Sequence, residues 1–129
     1  MIIDTIIYSS LGNAADFGDM TQVRGAGASV ASTTRGVYGG GYKTDPSTEY
    51  NIIEYITMAT AGNASDFGDL SSTRRSLNSG IVSSNTRGLF GGGYAPSDAR
   101  VNIIEYITIA STGDVTDFGD LTVGRYNFN

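Results

Sequence analysis

Short runs of apolar and β-branched residues, separated by glycine-containing turns, recur along this chain. Residues 52–60 form a nearly continuous apolar run, which is typical of a strand covered on both faces. The rest of that period predicts, in order, a turn at Gly62-Asn63, a short strand around 67–70, a Ser/Gly-rich strand over 76–84, a turn at Asn85-Thr86 and a strand over 87–94. No apolar spacing of three, four and seven persists over ten positions, so the pattern predicts no helix.

The pattern repeats with a fixed period. Residues 51–74 and 102–125 are identical at 15 of 24 positions, and a weaker copy occupies residues 2–24. The hexapeptide around Asp16-Phe17-Gly18-Asp19 returns after 50 and again after 51 residues. A period near 50 with four short strands is in the range of β-propeller blades.

Composition narrows the function classes further. The 129 residues include 18 Gly and two Pro, with neither Cys nor His. Without these two residue types the chain has no disulfide, thiolate metal ligand or catalytic imidazole. The net charge of −5 argues against a nucleic-acid surface, which needs clustered Lys and Arg. No apolar run approaches the roughly 20 residues of a membrane helix, and no signal peptide is predicted.

Order and spacing of the repeated residues resemble the kelch repeat. In that family an apolar strand ends in paired glycines, a later strand carries Tyr, and an aromatic residue precedes Leu by three positions and is followed by Arg. The corresponding residues here are Gly39-Gly40, Tyr55, Phe67, Leu70 and Arg74, then Gly91-Gly92, Tyr106, Phe118, Leu121 and Arg125. The resemblance implies an all-β fold of four-stranded antiparallel propeller blades with about ten strands.

On this interpretation the chain is a single repeat domain of about two and a half blades. Residues 1–24 form half a blade, 25–74 and 75–125 form whole blades, and 126–129 start a further strand. Because propellers close with four to eight blades, we expect the ring to be completed by oligomerisation.

The amino-acid sequence of the repeats is also similar to that of repeat arrays in virion structural, tail-fibre-like proteins of marine tailed bacteriophages, especially cyanophages. The resemblance is carried by "TRGLFGGGY", "NIIEYITIASTGD" and "DFGDLTVGRYNF". It implies a non-enzymatic component of the phage particle, such as a fibre, an appendage or a capsid decoration. Its partners would be further copies of itself or other virion proteins, with neither nucleic-acid binding nor membrane insertion.

The triplet Asp-Phe-Gly holds magnesium in protein kinases, but a kinase also needs a His-Arg-Asp loop, which a chain without His lacks. We therefore predict a structural role. Phe17, Phe67 and Phe118 would be buried between blades. The flanking Asp residues would accept backbone hydrogen bonds or pair with Arg24, Arg74 and Arg125. A calcium loop at Asp114, Asp117 and Asp120 is the alternative, but it supplies too few ligands, and we expect no metal or cofactor.

Two further repeated features have structural and functional interpretations. The triple glycine lacks the Lys of a phosphate-binding loop, so we expect it to allow close approach of inner strands. Arg35 and Arg87 are expected to pair with Glu54 and Glu105, the equivalents of Asp4; the alternative is an Arg-lined channel for anions.

The segments that differ between repeats are the candidates for binding. Residues 43–51 and 95–102 occupy the same loop in successive units but share little sequence, and they are expected to open on one face together with the loop around 73–76. The candidate ligand-binding residues are Tyr42, Arg75, Tyr94 and Arg100. A receptor- or glycan-binding module is therefore the alternative to a purely structural component. No nucleophile–base pair points to an enzyme.

Overall fold

The computed structural model describes residues 1–45, 47–77 and 82–126. Within them the protein is all-β, as predicted, and the described residues contain no α-helix but one short 3-10 turn, Pro96–Asp98. The strands are β1 (Ile2–Thr5), β2 (Ala15–Asp19), β3 (Ala28–Ala31), β4 (Arg35–Gly39), β5 (Tyr42–Lys43), β6 (Thr48–Glu49), β7 (Ile52–Thr57), β8 (Ser65–Asp69), β9 (Arg87–Gly91), β10 (Tyr94–Ala95), β11 (Ala99–Arg100), β12 (Ile103–Thr108) and β13 (Thr116–Asp120).

The strands form several small antiparallel sheets, none of them closed. The central sheet has the order β3-β4-β7-β8, the next β13-β12-β9, and β1 pairs with β2. Each repeat unit (1–24, 25–74 and 75–125, the first, second and third unit) uses the same register: Ile2, Ile52 and Ile103 lie opposite Asp19, Asp69 and Asp120. A register shift follows the next residue in every unit. The internal repeat of the sequence is therefore a repeat of strand pairing.

Strand boundaries differ from the sequence prediction in an instructive way. The strand predicted over 52–60 ends at Thr57, where a turn closed by the Thr60 amide begins. The strand predicted over 87–94 ends at Gly91, because Gly92 and Gly93 have φ angles of +59° and +103°. The described residues contain more strands than the predicted ten because there are two additional short hairpins, β5-β6 and β10-β11. Each strand of these hairpins has two residues.

Three predicted segments fall partly outside the described residues, and one of them is the loop 43–51, which contains residue 46. Residues 78–81 belong to the strand predicted over 76–84, and residues 127–129 belong to the predicted start of a further strand. Ser83 lies in an isolated antiparallel bridge with Gly88, and the Leu89 amide donates to the Val82 carbonyl. The described end of the 76–84 segment thus lies beside β9.

The core lies between the second and third units. It is one cluster of buried side chains: Ala28, Val30, Val37, Ile53, Phe67, Leu70, Leu77, Phe90, Ile107 and Ile109. A Cβ atom at Gly39 would lie 2.9 Å from the Phe90 ring, and one at Gly88 would lie 2.4 Å from Val30. Gly39 on β4 and Gly88 on β9 therefore let neighbouring sheets approach closely. Gly39 belongs to the triple glycine for which close approach was predicted, whereas Gly88 lies outside it.

Candidate functional site

The repeated Asp-Phe-Gly-Asp segment is the contact between consecutive units. The Gly62 and Ala64 amides donate to the carbonyl oxygens of Phe17 and Asp19, at 2.7 and 2.8 Å. In return the Asp19 amide donates to Asn63 Oδ1 at 3.0 Å. The loop that joins β7 to β8 in the second unit therefore pairs with β2, the outer strand of the first unit.

The same contact is repeated one unit further along. Gly113 and Val115 donate to the carbonyl oxygens of Phe67 and Asp69 at 2.6 and 3.0 Å, and the Asp69 amide donates to Asp114 Oδ1 at 3.0 Å. The sequence analysis assigned Gly62-Asn63 only to a turn. Its second role, as the loop that docks on the preceding unit, depends on contacts between residues that are distant in the sequence.

The glycine of each triplet is required by this docking. Gly18 and Gly68 have φ angles of +151° and +148°, and a Cβ atom on either would lie 2.3 Å from the carbonyl oxygen of Gly62 or Gly113. Gly119 has a similar φ of +138°, but a Cβ atom there would meet nothing within 4 Å. We call the strand that carries the triplet in each unit (β2, β8 or β13) the docking strand. Its third copy, β13, thus has the same backbone conformation as the other two, but no described loop docks on it.

The matched pair Gly68 and Gly119 separates close approach from backbone conformation. We expect Gly68→Ala to lower the free energy of unfolding by about 1–3 kcal/mol more than Gly119→Ala, since only the first alanine meets the next unit. Urea denaturation, at protein concentrations where self-association does not contribute, measures the difference. Equal losses would contradict the docking role of Gly68.

Burial of the repeated Phe follows the same rule. Phe67 is 2% exposed, lies in the core cluster and meets Tyr55 edge to face with ring centroids 5.8 Å apart. Phe17 is half-buried. The predicted burial is wrong for Phe118, which is 53% exposed because no unit packs against its sheet there.

Two arginines at the ends of the first and second units form buried ion pairs. Arg24 Nη2 lies 2.7 Å from Glu54 Oε2, while its Nη1 donates to the carbonyl oxygens of Gly40 and Ile52 at 2.6 and 2.7 Å. Arg74 pairs in the same way with Glu105 and donates to the Gly92 carbonyl. All four charged side chains are buried.

These pairs correct two predictions. The partners of Arg24 and Arg74 are glutamates of the following unit, and not the flanking Asp residues. Likewise Arg35 and Arg87 do not bind Glu54 and Glu105. They lie over the rings of Tyr55 and Tyr106, at 4.5 and 4.6 Å from the centroids, and Arg35 also donates to the Ile109 carbonyl.

Electrostatics support a charged Glu54. Burial by itself raises the pKa of this carboxyl, but hydrogen bonds from Thr21 and Arg24 outweigh burial and hold the pKa below its ordinary value. For the equivalent pair, burial lowers the pKa of Arg74, and the charge of Glu105 opposes that shift. The ion pairs are consequently built with hydrogen-bond partners rather than left as bare charges.

The Asp that follows each triplet enters the docking contact through its backbone, because the amides and carbonyl oxygens of Asp19 and Asp69 pair with the loop of the next unit. Partial burial, followed by repulsion from Asp114 and Asp66, raises the pKa of Asp69. Asn63 occupies the position of Asp114 in the preceding contact and adds no charge. Among the described residues no group of three acidic side chains is arranged to hold a metal ion. Asp114, from the alternative calcium loop, instead accepts a backbone hydrogen bond.

The predicted ligand-binding residues lie together on the loop face. The Arg75 guanidinium lies over both Tyr42 and Tyr94, 5.0 and 5.4 Å from the ring centroids. Tyr94 in turn packs on Tyr126 at 4.2 Å, and Arg100 lies over Tyr126 at 5.5 Å. We call these five residues the Tyr–Arg stack. Tyr126, which sequence reasoning missed, occupies the repeat position of Gly25 and Arg75.

A polar cavity of about 630 Å³ opens at one end of the Tyr–Arg stack. Arg75 at its wall forms ion pairs with Glu49 and Asp98. Glu49 Oε1 is used in that pair, whereas Glu49 Oε2 is buried and receives no hydrogen bond from the described residues. The cavity is lined by Tyr42, Ser47, Thr48, Glu49, Thr73, Arg75, Pro96, Ser97 and Asp98. Tyr94 and Arg100 lie outside it.

Comparison of the chain with protein-family models and with curated proteins gives no match. No helix in the described part of the chain has the length and apolar character needed to cross a bilayer.

Proposed function

We propose that the protein is a non-enzymatic structural component of a bacteriophage virion, a fibre, appendage or capsid decoration built from kelch-like propeller blades. The observation that carries the proposal is the contact between units, which the chain makes twice with the same residue types. Each contact combines backbone pairing, a close glycine and a buried Arg–Glu pair. Such contacts make a rigid array that is extended by addition of units.

The proposal of a phage origin is supported by the amino-acid sequence of the repeats, and the proposal of a structural role is supported by the contacts between consecutive units. Three repeated acidic side chains support the contacts between units: Glu54 and Glu105 are buried in ion pairs, and Asp114 accepts a hydrogen bond from a backbone amide. The partners in this proposal are further copies of the chain or other virion proteins.

Purified phage particles test the proposal. Mass spectrometry of gradient-purified particles that carry the gene is expected to detect the chain at a fixed stoichiometry to the major capsid protein. Detection in the lysate of infected cells together with absence from the particles would contradict a virion role.

The polar cavity favours a second candidate function, a binding module for a host-surface glycan. Glu49 Oε2 is a buried acceptor without a donor, and sugar hydroxyls are donors of the right kind. Tyr42 offers a ring, and Arg75 is fixed between two rings and two carboxylates. Fixed aromatic and Arg side chains are typical of binding hot spots.

A glycan array with the purified chain distinguishes this candidate. If the module binds glycans, we expect Tyr42→Ala to weaken binding of a recognised glycan about tenfold or more, because a central aromatic contact contributes over 1 kcal/mol. Tyr94→Ala should weaken it less, since Tyr94 only supports Arg75. The control is Tyr8→Ala, an exposed tyrosine away from the cavity. Silence across the array, or equal binding by wild type and Tyr42→Ala, would contradict the glycan site.

A further inference from the structure

The described chain exposes both halves of its own unit-to-unit contact. One half, the tail face, consists of Phe118, Gly119 and Asp120 on β13, and it is the third copy of the docking strand. Phe118 is 53% exposed, and the space beside Gly119 is open. Within the chain, both earlier copies of this strand are covered by the docking loop of the following unit.

The other half, the head face, consists of Ile6 and the loop Gly12, Asn13 and Ala14. This loop aligns with Gly62-Asn63-Ala64 and with Gly113-Asp114-Val115, the two loops that dock internally. A Cβ atom at Gly12 would meet nothing within 4 Å. Ile6 is 64% exposed, whereas the equivalent Ile107 is buried in the core cluster.

We infer that the tail face of one copy of this chain docks on the head face of a second copy, through the contacts that join its internal units. The inference rests on the proposed role as a building block and names its partner and its surface. The expected hydrogen bonds run from the Gly12 and Ala14 amides to the Phe118 and Asp120 carbonyl oxygens. The Asp120 amide donates to Asn13 Oδ1.

Charge at this contact favours docking. In the contact between the second and third units, Asp114 lies beside Asp69 and its repulsion contributes to the raised pKa of Asp69. Asn13 stands at that position of the head face and accepts the same hydrogen bond without a negative charge. The contact between copies therefore follows the uncharged arrangement of Asn63 with Asp19.

A second pair of groups is also complementary. Arg125 is the repeat equivalent of Arg24 and Arg74, but its side chain is exposed, and among the described residues its Nε donates to the nearby Val123 carbonyl. Asp4, the equivalent of Glu54, is exposed on β1. Docking brings Arg125 of one copy to Asp4 of the other, as Arg24 meets Glu54 within the chain.

The two faces are different surfaces, so the association is head to tail. Such an interface forms a ring if the rotation closes and a filament if it does not. Either product is consistent with the docking contact, because the same pair of faces joins every neighbouring pair of copies.

Sedimentation velocity of the 129-residue chain from 1 to 200 µM, on the order of the range where weak subunit contacts are seen, tests the inference. The apparent mass of wild type is expected to rise above the 13.5 kDa of the monomer as concentration rises. Gly119→Ala places a methyl group where Gly68 tolerates none, and we expect it to weaken association about tenfold or more. Gly25→Ala is the control for an added methyl group, since its Cβ would meet nothing within 4 Å and it lies outside both faces. Gly113→Ala is the control for an alanine at positive φ, since Gly113 has a φ of +152° and an open Cβ position outside both faces.

Asn13→Asp gives a readout that a purely structural defect would not produce. It is expected to weaken association about two- to fivefold at low salt, because the introduced carboxylate faces Asp120 as Asp114 faces Asp69. The deficit relative to wild type should shrink as salt is raised, because salt screens repulsion between exposed carboxylates. Circular dichroism establishes that each variant is folded. A monomer at every concentration, or association by Gly119→Ala and Asn13→Asp equal to that of wild type, would overturn the inference.

The outcomes separate this inference from the proposed function. A chain found in phage particles that stays monomeric leaves the virion role standing and removes the head-to-tail contact. A chain that associates through these faces but is absent from particles retains the contact and loses the virion role.

Discussion

Phe67→Ala is expected to lower the free energy of unfolding by about 3–5 kcal/mol. The ring is 2% exposed, lies in the core cluster between the second and third units, and meets Tyr55 edge to face. Its removal leaves a cavity that the surrounding strands cannot close, because backbone pairing holds β8 to β7 on one side and to the loop of the third unit on the other. Urea denaturation followed by tyrosine fluorescence measures the loss.

Phe118→Ala is the matched control for this prediction. It has the same local sequence and the same edge-to-face contact, with Tyr106 at 6.2 Å, but it is 53% exposed. In dilute solution, where copies do not associate, we expect a loss below about 1 kcal/mol. A Phe67→Ala loss no greater than that of Phe118→Ala would show that the core between the units does not depend on Phe67.

The comparison of these two residues also shows what the sequence could and could not predict. The period, the strand segments and the structural nature of Asp-Phe-Gly-Asp follow from the pattern, because they depend on neighbours along the chain. Burial of a particular Phe depends on whether another unit packs against it. Identical tetrapeptides at Phe67 and Phe118 therefore have opposite exposures.

The partners of the arginines could not be predicted for a related reason. The sequence analysis paired charges by their proximity within a unit. The structure pairs Arg24 with Glu54 and Arg74 with Glu105, which lie in the following unit. The available signal was the constant separation, 30 residues in one pair and 31 in the other.

The loop face was predicted in part. Arg75 and Tyr94 are brought together by an antiparallel bridge within the third unit, and Tyr42 forms the equivalent bridge with Gly25 in the second unit. Arg75 also lies over the Tyr42 ring and so joins the two units at this face. Glu49 and Asp98 lie in the predicted loops 43–51 and 95–102 but were not singled out, and Tyr126 was missed. Glu49 lies opposite Tyr42 in a two-residue hairpin, which is too short to be recognised from periodicity.

Arg24→Met is the second change with a large expected effect, a loss of about 3–5 kcal/mol at pH 7. The variant keeps an apolar side chain of similar length but leaves Glu54 buried without its counter-charge. It also removes the Arg24 donor from the carbonyl oxygens of Gly40 and Ile52, of which the Ile52 oxygen still accepts from the Gly40 amide. Arg125→Met removes the equivalent exposed arginine and is the control, with an expected loss below about 1 kcal/mol.

The dependence of this loss on pH follows from the sign of the Glu54 shift. Its pKa is lower in the folded protein than in the unfolded chain, so the ionised carboxylate stabilises the fold above its ordinary pKa of 4.5. That contribution is lost as the pH falls through the lowered folded-state value. Without Arg24 a charged Glu54 is costly, and protonation relieves the cost. The difference in the free energy of unfolding between wild type and Arg24→Met should therefore become smaller on acidification from pH 7 to below 4.5.

The double variant Arg24→Met with Glu54→Leu separates the cost of a stranded charge from the value of the pair. Replacing both charges by apolar side chains removes the unpaired carboxylate, so we expect the double variant to be more stable than Arg24→Met alone. Stability at pH 7 then lies closer to that of wild type, and the part of its pH dependence that comes from Glu54 is lost. If the double variant were less stable than Arg24→Met, the ionised Glu54 would be held by Thr21 alone, and the buried Arg24–Glu54 pair would not be the source of the stability assigned to it.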